Sequence, residues 1–245
     1  FEPEMISEDS DLYRTHPEWT IRIPGRQPTR CRFQLVLDMS RQDVRDYLFD
    51  VMSQILGSAN ITYVKWDFNR SVSDWYSELL PASRQKEMPH RFVLGLYDLM
   101  ERLTSAFPDI LFEGCCGGGG RFDAGILYYC PQIWCSDDTD AFERTQIQYG
   151  TSFFYPISSM GSHVSAVPNH QTGRITSIKA RAVTAMSGSF GYELDLNKLT
   201  QEEKNEVKFQ IGLFKEYGPL IHNGKYYRLS NPFRDNYAVW QYVSQ

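Results

Sequence analysis

The feature that most constrains the fold is an alternation of short apolar runs with longer amphipathic segments along the 245 residues. Short runs rich in β-branched and aromatic residues predict strands, and apolar residues spaced three or four apart predict helices. Strands that alternate with helices form parallel sheets. The predicted strands cover 33–38, 61–67, 110–113, 133–135, 152–155 and 190–194.

Two helix starts are predicted from capping-box spacing. Ser40 with Asp43 precedes one amphipathic segment, and Thr200 with Glu203 precedes another. Side chains placed like this satisfy backbone N–H groups that have no partner inside the helix. The buried stripe of the first of these helices is expected at Val44, Leu48, Val51 and Ile55.

Polar or special residues follow several of the predicted strands, at Asp67, Cys115, Asp137 and Pro156. Functional groups at the carboxyl ends of many strands are typical of a (β/α)8 TIM barrel, whereas an open sheet concentrates them at one or two points. The prediction is therefore an α/β chain with an incomplete barrel, about strands 3 to 8. We place this barrel at 1–222. The alternating segment 223–245 is expected to begin a C-terminal antiparallel β-domain.

Charge and cysteine content exclude several classes of partner. The net charge is -5, so no basic face is expected for nucleic acid or an anionic membrane. No run approaches the roughly 20 apolar residues of a membrane span.

Five cysteines are an odd number in a long chain, which argues against a disulfide framework and favours the cytoplasm. No metal or cofactor site is predicted. The chain begins without Met and reads as part of something longer.

The first candidate for chemistry is Asp67, which ends the predicted strand 61–67. A buried charge needs a partner, since burying it alone is costly. Lys65 and Arg70 could hold Asp67 ionised, as a nucleophile requires. Trp66 could form a hydrophobic wall or a face on which a sugar stacks. A structural salt bridge at the strand end explains the same residues equally well.

The second candidate is a cluster of acids, Asp137, Asp138 and Asp140, just after the predicted strand 133–135. Three buried carboxylates would repel one another, so one is expected to stay protonated, which suits a general acid. The helix predicted to begin near Ala141 also favours negative charge at its N-terminus. We expect both roles: Asp137 would carry chemistry, and the later residues would cap the helix.

Four glycines at 117–120 follow Cys115 and Cys116. Their N–H groups could cradle a phosphate, but the segment has neither the ending of a P-loop nor a GxGxxG pattern. Glycines also let the backbone approach a sugar closely, or form a plain loop. His163 and His170 are more simply polar loop residues than catalytic or metal-binding groups.

Together these segments resemble the microbial α-galactosidases of glycoside hydrolase family thirty-six. The long central run is highly specific, and the matching stretches cover the chain nearly end to end. They are FEPEM with SDLYRTHPEW, QLVLDMSR, YVKWDFNR, GGGGRFDAGILYYCPQIWCSDDTDAFERTQIQYGTSFFYP and SSMGSHVSAVPNHQTGR.

The resemblance implies a retaining α-galactosidase that removes terminal α-linked galactose from melibiose- or raffinose-type sugars by double displacement. In that family Asp67 matches the nucleophile and Asp137 the acid/base. It also implies that the full-length protein is a homo-oligomer, in this family often a tetramer. The substrate-binding residues expected are Lys65, Arg32, Cys115, Gly118, Trp66 and Asn69.

Two departures and two alternatives accompany the resemblance. Cys116 stands where the family usually has Ser, and Cys135 where it usually has Thr; both changes are small in volume. The family's paired aspartates that hold the sugar lie upstream of Phe1, so the isolated chain is expected to show little activity. The alternatives are a raffinose-synthase-like galactosyl transferase, which would use the same two carboxylates, and a non-catalytic galactoside-binding fragment.

Overall fold

The structure, a computed structural model, describes residues 1–244. It divides into two compact units. The first comprises Phe1–Gly117 and Asp123–Pro131, and the second comprises Gly118–Phe122 and Gln132–Gln245. The glycine run at 117–120 therefore contains a boundary between the two units.

The strands and helices of the first unit are β1 (Met5–Ser7), α1 (Asp11–Thr15), β2 (Gln34–Val36), α2 (Gln42–Gly57), β3 (Tyr63–Trp66), α3 (Met88–Ala106), β4 (Leu111–Gly114) and α4 (Ala124–Tyr129). Short 3-10 helices lie at Pro17–Trp19 and Ala82–Glu87. β3 and β4 are parallel, with Lys65 opposite Glu113. β1 and β2 are antiparallel. The run 33–38 thus yields a strand, but in an antiparallel pair and not in the parallel sheet that was expected.

Helix α2 begins differently from the prediction. Its N-cap residue is Arg41, and no side chain caps it. Ser40 Oγ instead donates to Asp38 Oδ1 at 2.6 Å, and the Asp43 carboxyl pairs with Arg41. The predicted capping box is therefore wrong, because both of its side chains have other partners. The buried stripe of α2 is Val44, Leu48, Met52 and Leu56.

Helix α3 packs closely against the segment that leads into α2. A Cβ at Gly95 would lie 1.8 Å from the Met39 carbonyl oxygen, so only glycine fits at this point of the helix. Phe92, Leu96 and Leu99 lie on the buried face of α3. This close approach holds α3 side by side with α2.

The strands and helices of the second unit are β5 (Gln132–Trp134), α5 (Ala141–Thr151), β6 (Met160–Ser165), α6 (Ile178–Ala185), β7 (Ser189–Glu193), α7 (Gln201–Asn223), β8 (Lys225–Arg228) and β9 (Trp240–Val243). Short 3-10 helices lie at Ile157–Ser159 and Leu196–Lys198. β5, β6 and β7 are parallel. β8 and β9 form the antiparallel hairpin expected near the end of the chain. That this hairpin opens a separate domain stays a prediction.

The N-terminus of α7 carries the predicted capping box. The Glu203 N–H donates to Thr200 Oγ1 at 3.2 Å, and the Thr200 N–H donates to Glu203 Oε2 at 2.9 Å. Both side chains come from the same four-residue stretch, and no other residue within 1–244 competes for either of them. The prediction from sequence is confirmed here.

The strand predicted at 152–155 is wrong. Residues 152–155 form turns directly after the end of α5, and Phe154 is 85% exposed. The strand lies further on, at β6, whose residues include Gly161 and two serines. A Cβ at Gly161 would lie 3.1 Å from the Trp134 ring, so a small residue is needed there. Close packing therefore removes the β-branched signature on which a sequence pattern depends.

Within residues 1–244, no helix combines the length and the apolar character that a membrane span requires.

Candidate active site

Asp67 directly follows β3, and both oxygens of its carboxyl accept hydrogen bonds. The Phe68 N–H donates to Oδ1 at 2.8 Å, and Asn69 Nδ2 donates to Oδ2 at 2.6 Å. The N–H of Asp67 donates to the Phe1 carbonyl at 2.8 Å. Donors on both oxygens fix the direction of the carboxylate, which suits attack on a single carbon atom.

Lys65 and Arg70 were predicted to be the charged partners of Asp67. The Lys65 ammonium lies 3.3 Å from Oε1 of Glu113, a buried residue on the adjacent strand. Lys65 and Asp67 are two residues apart, so their side chains leave the same face of the strand. Arg70 instead donates to the Gln34 carbonyl at 2.9 Å. Arg70 therefore ties two chain segments together and does not neutralise Asp67.

Glu2 is a site residue that sequence reasoning missed. Its Oε1 accepts from Arg32 Nη1 at 2.9 Å and from Asn69 Nδ2 at 2.8 Å. The same Asn69 amide donates to Asp67, so Glu2 acts on Asp67 through Asn69. Nothing in local spacing links positions 2 and 69. The only signal in the sequence was an acid in FEPEM, one of the stretches that carry the family resemblance.

Arg32 and Phe33 occupy a tight turn with unusual backbone geometry. Their φ angles are 52° and 63°, and Cys31 and Gln34 pair across the turn. Two central residues with positive φ are typical of a type I′ turn, where Asn and Gly are favoured. Residues with a Cβ pay a steric cost in this region. The turn aims the Arg32 guanidinium at Glu2 and leaves Phe33 91% exposed.

The structure argues against the predicted sugar contact of Trp66. Its side chain is 0% exposed, and its Nε1 donates to Oε1 of the equally buried Glu4 at 2.9 Å. A ring without accessible surface cannot stack on a sugar. Side chains alternate along a strand, so Trp66 lies on the opposite face from Asp67. It is buried on the face of β3 that points away from Asp67.

Cys115 lies beside Asp67 at the end of the neighbouring strand. Its N–H donates to the Trp66 carbonyl at 2.8 Å, and its carbonyl accepts from the Phe68 N–H at 3.1 Å. These two hydrogen bonds flank Asp67 along the chain, which places the two residues next to each other. Of the predicted site residues, the first unit brings together Asp67, Lys65, Cys115, Asn69 and, through Glu2, Arg32.

Asp137 follows β5 in the second unit and is exposed. Trp134 Nε1 donates to its Oδ1 at 3.1 Å. Among residues 1–244, the other oxygen, Oδ2, accepts no hydrogen bond. An exposed carboxyl with one such oxygen can exchange a proton with a molecule that arrives from solvent.

Gly118 packs directly against the backbone of Asp137. A Cβ at Gly118 would lie 2.9 Å from the Asp137 nitrogen and 2.9 Å from Ser136 Cα, and φ of Gly118 is +82°. At Gly119 a Cβ would lie 2.7 Å from the Cys135 carbonyl oxygen. Gly118 and Gly119 therefore have a steric reason: they let this part of the loop pack directly on the segment that carries Asp137.

Asp140 is the N-cap of α5, as predicted for the later acids of this cluster. Its carboxyl accepts from the Phe142 N–H at 2.8 Å and forms an ion pair with Arg174 at 2.5 Å. Burial opposes its ionisation, but hydrogen bonds from Thr172, the Phe142 N–H and Arg174 outweigh that effect and lower the pKa of Asp140. Asp140 therefore holds the loop in place and is not available as a proton donor.

Neither histidine of the predicted loop joins a metal site. The His163 ring packs on Trp134 with centroids 4.8 Å apart, and His170 is exposed. Among residues 1–244, no group of three or more His, Cys, Asp or Glu side chains is arranged to hold a metal ion. Packing and solvent account for both residues.

A family model described as Melibiase matches residues 1–224. The chain belongs to the melibiase family. Among similar proteins, the bifunctional α-galactosidase/sucrose kinase AgaSK of Mediterraneibacter gnavus is 59% identical over 244 residues. That match covers 100% of this melibiase-family chain and 25% of the relative. The chain spans between a quarter and a third of the length of the curated relatives it matches first.

Solved structures match this melibiase-family chain over almost its whole length. The GH36 α-galactosidase AgaA from Geobacillus stearothermophilus is 56% identical, with a TM-score of 0.97, covering 99% of this chain and 34% of that one. Variants of that enzyme in complex with raffinose and with stachyose match with TM-scores of 0.98 and 0.97, at the same identity and coverage. The predicted fold class, an incomplete (β/α)8 barrel of α/β type, is confirmed.

Proposed function

We propose that the full-length protein is a retaining α-galactosidase in which Asp67 is the nucleophile and Asp137 the general acid/base. The observation that carries this proposal is the contrast between the two carboxyls. Asp67 is half-buried with donors on both oxygens, and Asp137 is exposed with a donor on one. A fixed carboxylate suits attack on carbon, and an accessible one suits proton transfer.

The first half of the reaction forms a covalent intermediate. A carboxylate oxygen of Asp67 bonds to C1 of the galactosyl group while the bond from C1 to the glycosidic oxygen breaks. The electron pair of that bond stays on the departing oxygen, which takes the proton of the Asp137 carboxyl. The product of this step is a β-galactosyl ester of Asp67, as in other retaining glycosidases.

The second half releases galactose. The Asp137 carboxylate takes a proton from a water molecule as the water oxygen bonds to C1. The bond between C1 and Asp67 breaks, and its electron pair returns to the carboxylate. Two inversions at C1 leave the α-configuration unchanged. Asn69 and Glu2 keep the Asp67 carboxylate aligned through both steps.

Relatives support the choice of substrate and of carboxyls. The Geobacillus enzyme is recorded with raffinose in a variant in which one aspartate is Asn, and with stachyose in a variant in which an earlier aspartate is Ala. Those two aspartates are the same number of residues apart as Asp67 and Asp137. We therefore propose α-galactosides of the raffinose and melibiose type as substrates.

The remaining substrate contacts are proposed from the family resemblance together with position. Lys65 shares a strand face with Asp67, and Cys115 lies beside it. Gly118 packs on the Asp137 backbone. Arg32 is connected to Asp67 through Glu2 and Asn69. We propose that these four residues contact the galactosyl group.

The test of the proposed function uses the purified full-length protein with raffinose. We expect galactose as a product, and proton NMR of the early reaction should show α-galactose before it mutarotates. A first product in the β-configuration would indicate inversion and contradict the mechanism. No release of galactose from raffinose, melibiose or an aryl α-galactoside would contradict the activity itself.

We further propose that the full-length protein is a homotetramer that works in the cytoplasm. The family resemblance supports the tetramer, and the odd number of cysteines supports a reducing compartment. The net charge of -5 gives no reason to expect a nucleic-acid or membrane partner. Light scattering during gel filtration of the full-length protein measures the first proposal directly.

A further inference from the structure

Arg144 is a buried cation with an unusual set of partners. It lies in the first half of α5 and is 3% exposed. Its Nε donates to the Asp138 carbonyl at 2.6 Å, and its Nη2 donates to the Ser136 carbonyl at 2.7 Å. Its Nη1 donates to Cys135 Sγ at 2.9 Å and to the Gly161 carbonyl at 3.1 Å. Within residues 1–244, no carboxylate oxygen pairs with its guanidinium.

Burial of a guanidinium without a counter-charge is expensive, and arginine cannot escape the cost by losing its proton. The hydrogen bonds to three carbonyl oxygens and to the Cys135 sulfur must offset that cost, so the geometry around Arg144 has to be held closely. Two of the acceptors are the backbone carbonyls of Ser136 and Asp138, the residues on either side of Asp137. The planar fork of arginine donates in several fixed directions at once, and it therefore fixes the backbone on both sides of Asp137.

Arg144 also packs on the ring of Trp134, the side chain that donates a hydrogen bond to the Asp137 carboxyl. Its guanidinium carbon lies 4.4 Å from the centroid of the Trp134 ring. The ring also packs on His163, with centroids 4.8 Å apart. The Nε1 of the same ring donates to Asp137 Oδ1 at 3.1 Å. A cation on an indole face stabilises that arrangement, so Arg144 holds in position the indole donor that orients the Asp137 carboxyl.

We infer that Arg144 is a positioning residue for the proton donor: it holds the backbone and the indole partner of Asp137 so that the carboxyl meets the departing oxygen. The inference rests on the proposed function, since it assumes that Asp137 transfers the proton. Arg144 acts through Asp137 and Trp134 and touches no substrate atom. A shift of about 1 Å in a reacting group can cost about 10²-fold in rate.

The test compares two substrates that differ in their need for a proton. Raffinose must have its leaving oxygen protonated, whereas α-galactosyl fluoride releases fluoride without such help. For each substrate, kcat/KM reports the steps up to the first irreversible bond cleavage. In the full-length protein, we expect Arg144→Met to lower kcat/KM for raffinose by about 10²-fold and for the fluoride by less than about threefold.

Arg144→Lys keeps the positive charge but cannot reproduce the fork of donors. We expect it to show the same preference for the fluoride as Arg144→Met. Restoration of raffinose hydrolysis by lysine would show that charge alone is needed, and that result would overturn the inference. Trp134→Phe removes only the indole N–H, so a smaller selective loss on raffinose is expected. This variant decides the question if the Arg144 variants do not fold.

Arg181 provides a matched control. It is also a buried arginine on a helix, 4% exposed, and its Nη1 donates to the Ser165 carbonyl at the end of β6. We expect Arg181→Met to lower thermal stability without a selective loss on raffinose. Equal losses on both substrates for Arg144→Met and Trp134→Phe, or no loss, would overturn the inference. If Asp137→Ala itself shows no selective loss, the proposed function fails instead.

Discussion

Asp67 and Asp137 each follow a parallel strand, yet their carboxyls are held by different means. At Asp67 the donors act on the carboxyl itself, from Phe68 and Asn69. At Asp137 one indole donor reaches the carboxyl, and the stronger restraint acts on the surrounding backbone through Arg144. The difference fits the two tasks proposed for these residues: a nucleophile needs one fixed line of attack, and a proton carrier needs an accessible oxygen on a rigid support.

The largest effect is expected at Asp67. In the full-length protein, Asp67→Ala should lower kcat/KM by roughly 10⁴-fold or more for raffinose and for α-galactosyl fluoride alike. Both substrates need the same bond to C1, so the leaving group should not matter. Initial rates measure this effect. A residual rate within about tenfold of wild type on either substrate would contradict the role of Asp67.

Asp137→Ala should distinguish the role of the Asp137 carboxyl from that of Asp67. We expect kcat/KM for raffinose to fall by about 10²–10⁴-fold, the usual contribution of a general acid. The value for α-galactosyl fluoride should fall far less, because fluoride departs without a proton. Equal losses on both substrates would mean that Asp137 does not donate the proton. The two carboxyls could then not be assigned different roles.

Glu2→Gln tests whether Glu2 holds Asn69 and, through it, the Asp67 carboxyl in place. The substitution keeps the shape but removes the charged acceptor shared by Arg32 and Asn69. We expect kcat/KM to fall by about tenfold on both substrates, the scale of a hydrogen bond to a charged group. Glu8→Gln is the matched control, because Glu8 pairs with Arg30 on the same unit. A selective loss on raffinose, or an equal effect of the control, would contradict the assignment.

The smallest effect is expected at Phe33. Its φ of 63° suits Asn better than Phe, so Phe33→Asn should raise the free energy of unfolding by about 1 kcal/mol. Phe33→Val is the comparison, because a β-branched residue resists positive φ and should destabilise. Thermal unfolding of the full-length variants measures both. If both variants melt at the same temperature as wild type, the turn carries no such cost.

Local rules predicted the parts of the molecule whose partners are close in sequence. The capping box of Thr200 and Glu203 and the N-cap at Asp140 both lie within a few residues of the N–H groups they satisfy. The box predicted at Ser40 failed because Asp38 competed for the serine hydroxyl. Such competition depends on side-chain directions that a spacing pattern does not record.

Long-range contacts were beyond the reach of sequence patterns. Glu2 meets Asn69 only because the chain returns to the same place after three strands and two α-helices. The Trp66 ring was expected to face a ligand, but burial of Glu4 on the other side of the strand fixed its direction. The family resemblance supplied Asp67 and Asp137, and the structure supplied the residues that hold them.

The most direct test is to trap the covalent intermediate. The full-length protein should react with a 5-fluoro-galactosyl fluoride, which forms the glycosyl ester but slows its hydrolysis. After proteolysis, mass spectrometry should find the added sugar on the peptide that contains Asp67, at its carboxyl. A label on any other acidic residue, or no stable adduct while the fluoride is still hydrolysed, would contradict Asp67 as the nucleophile.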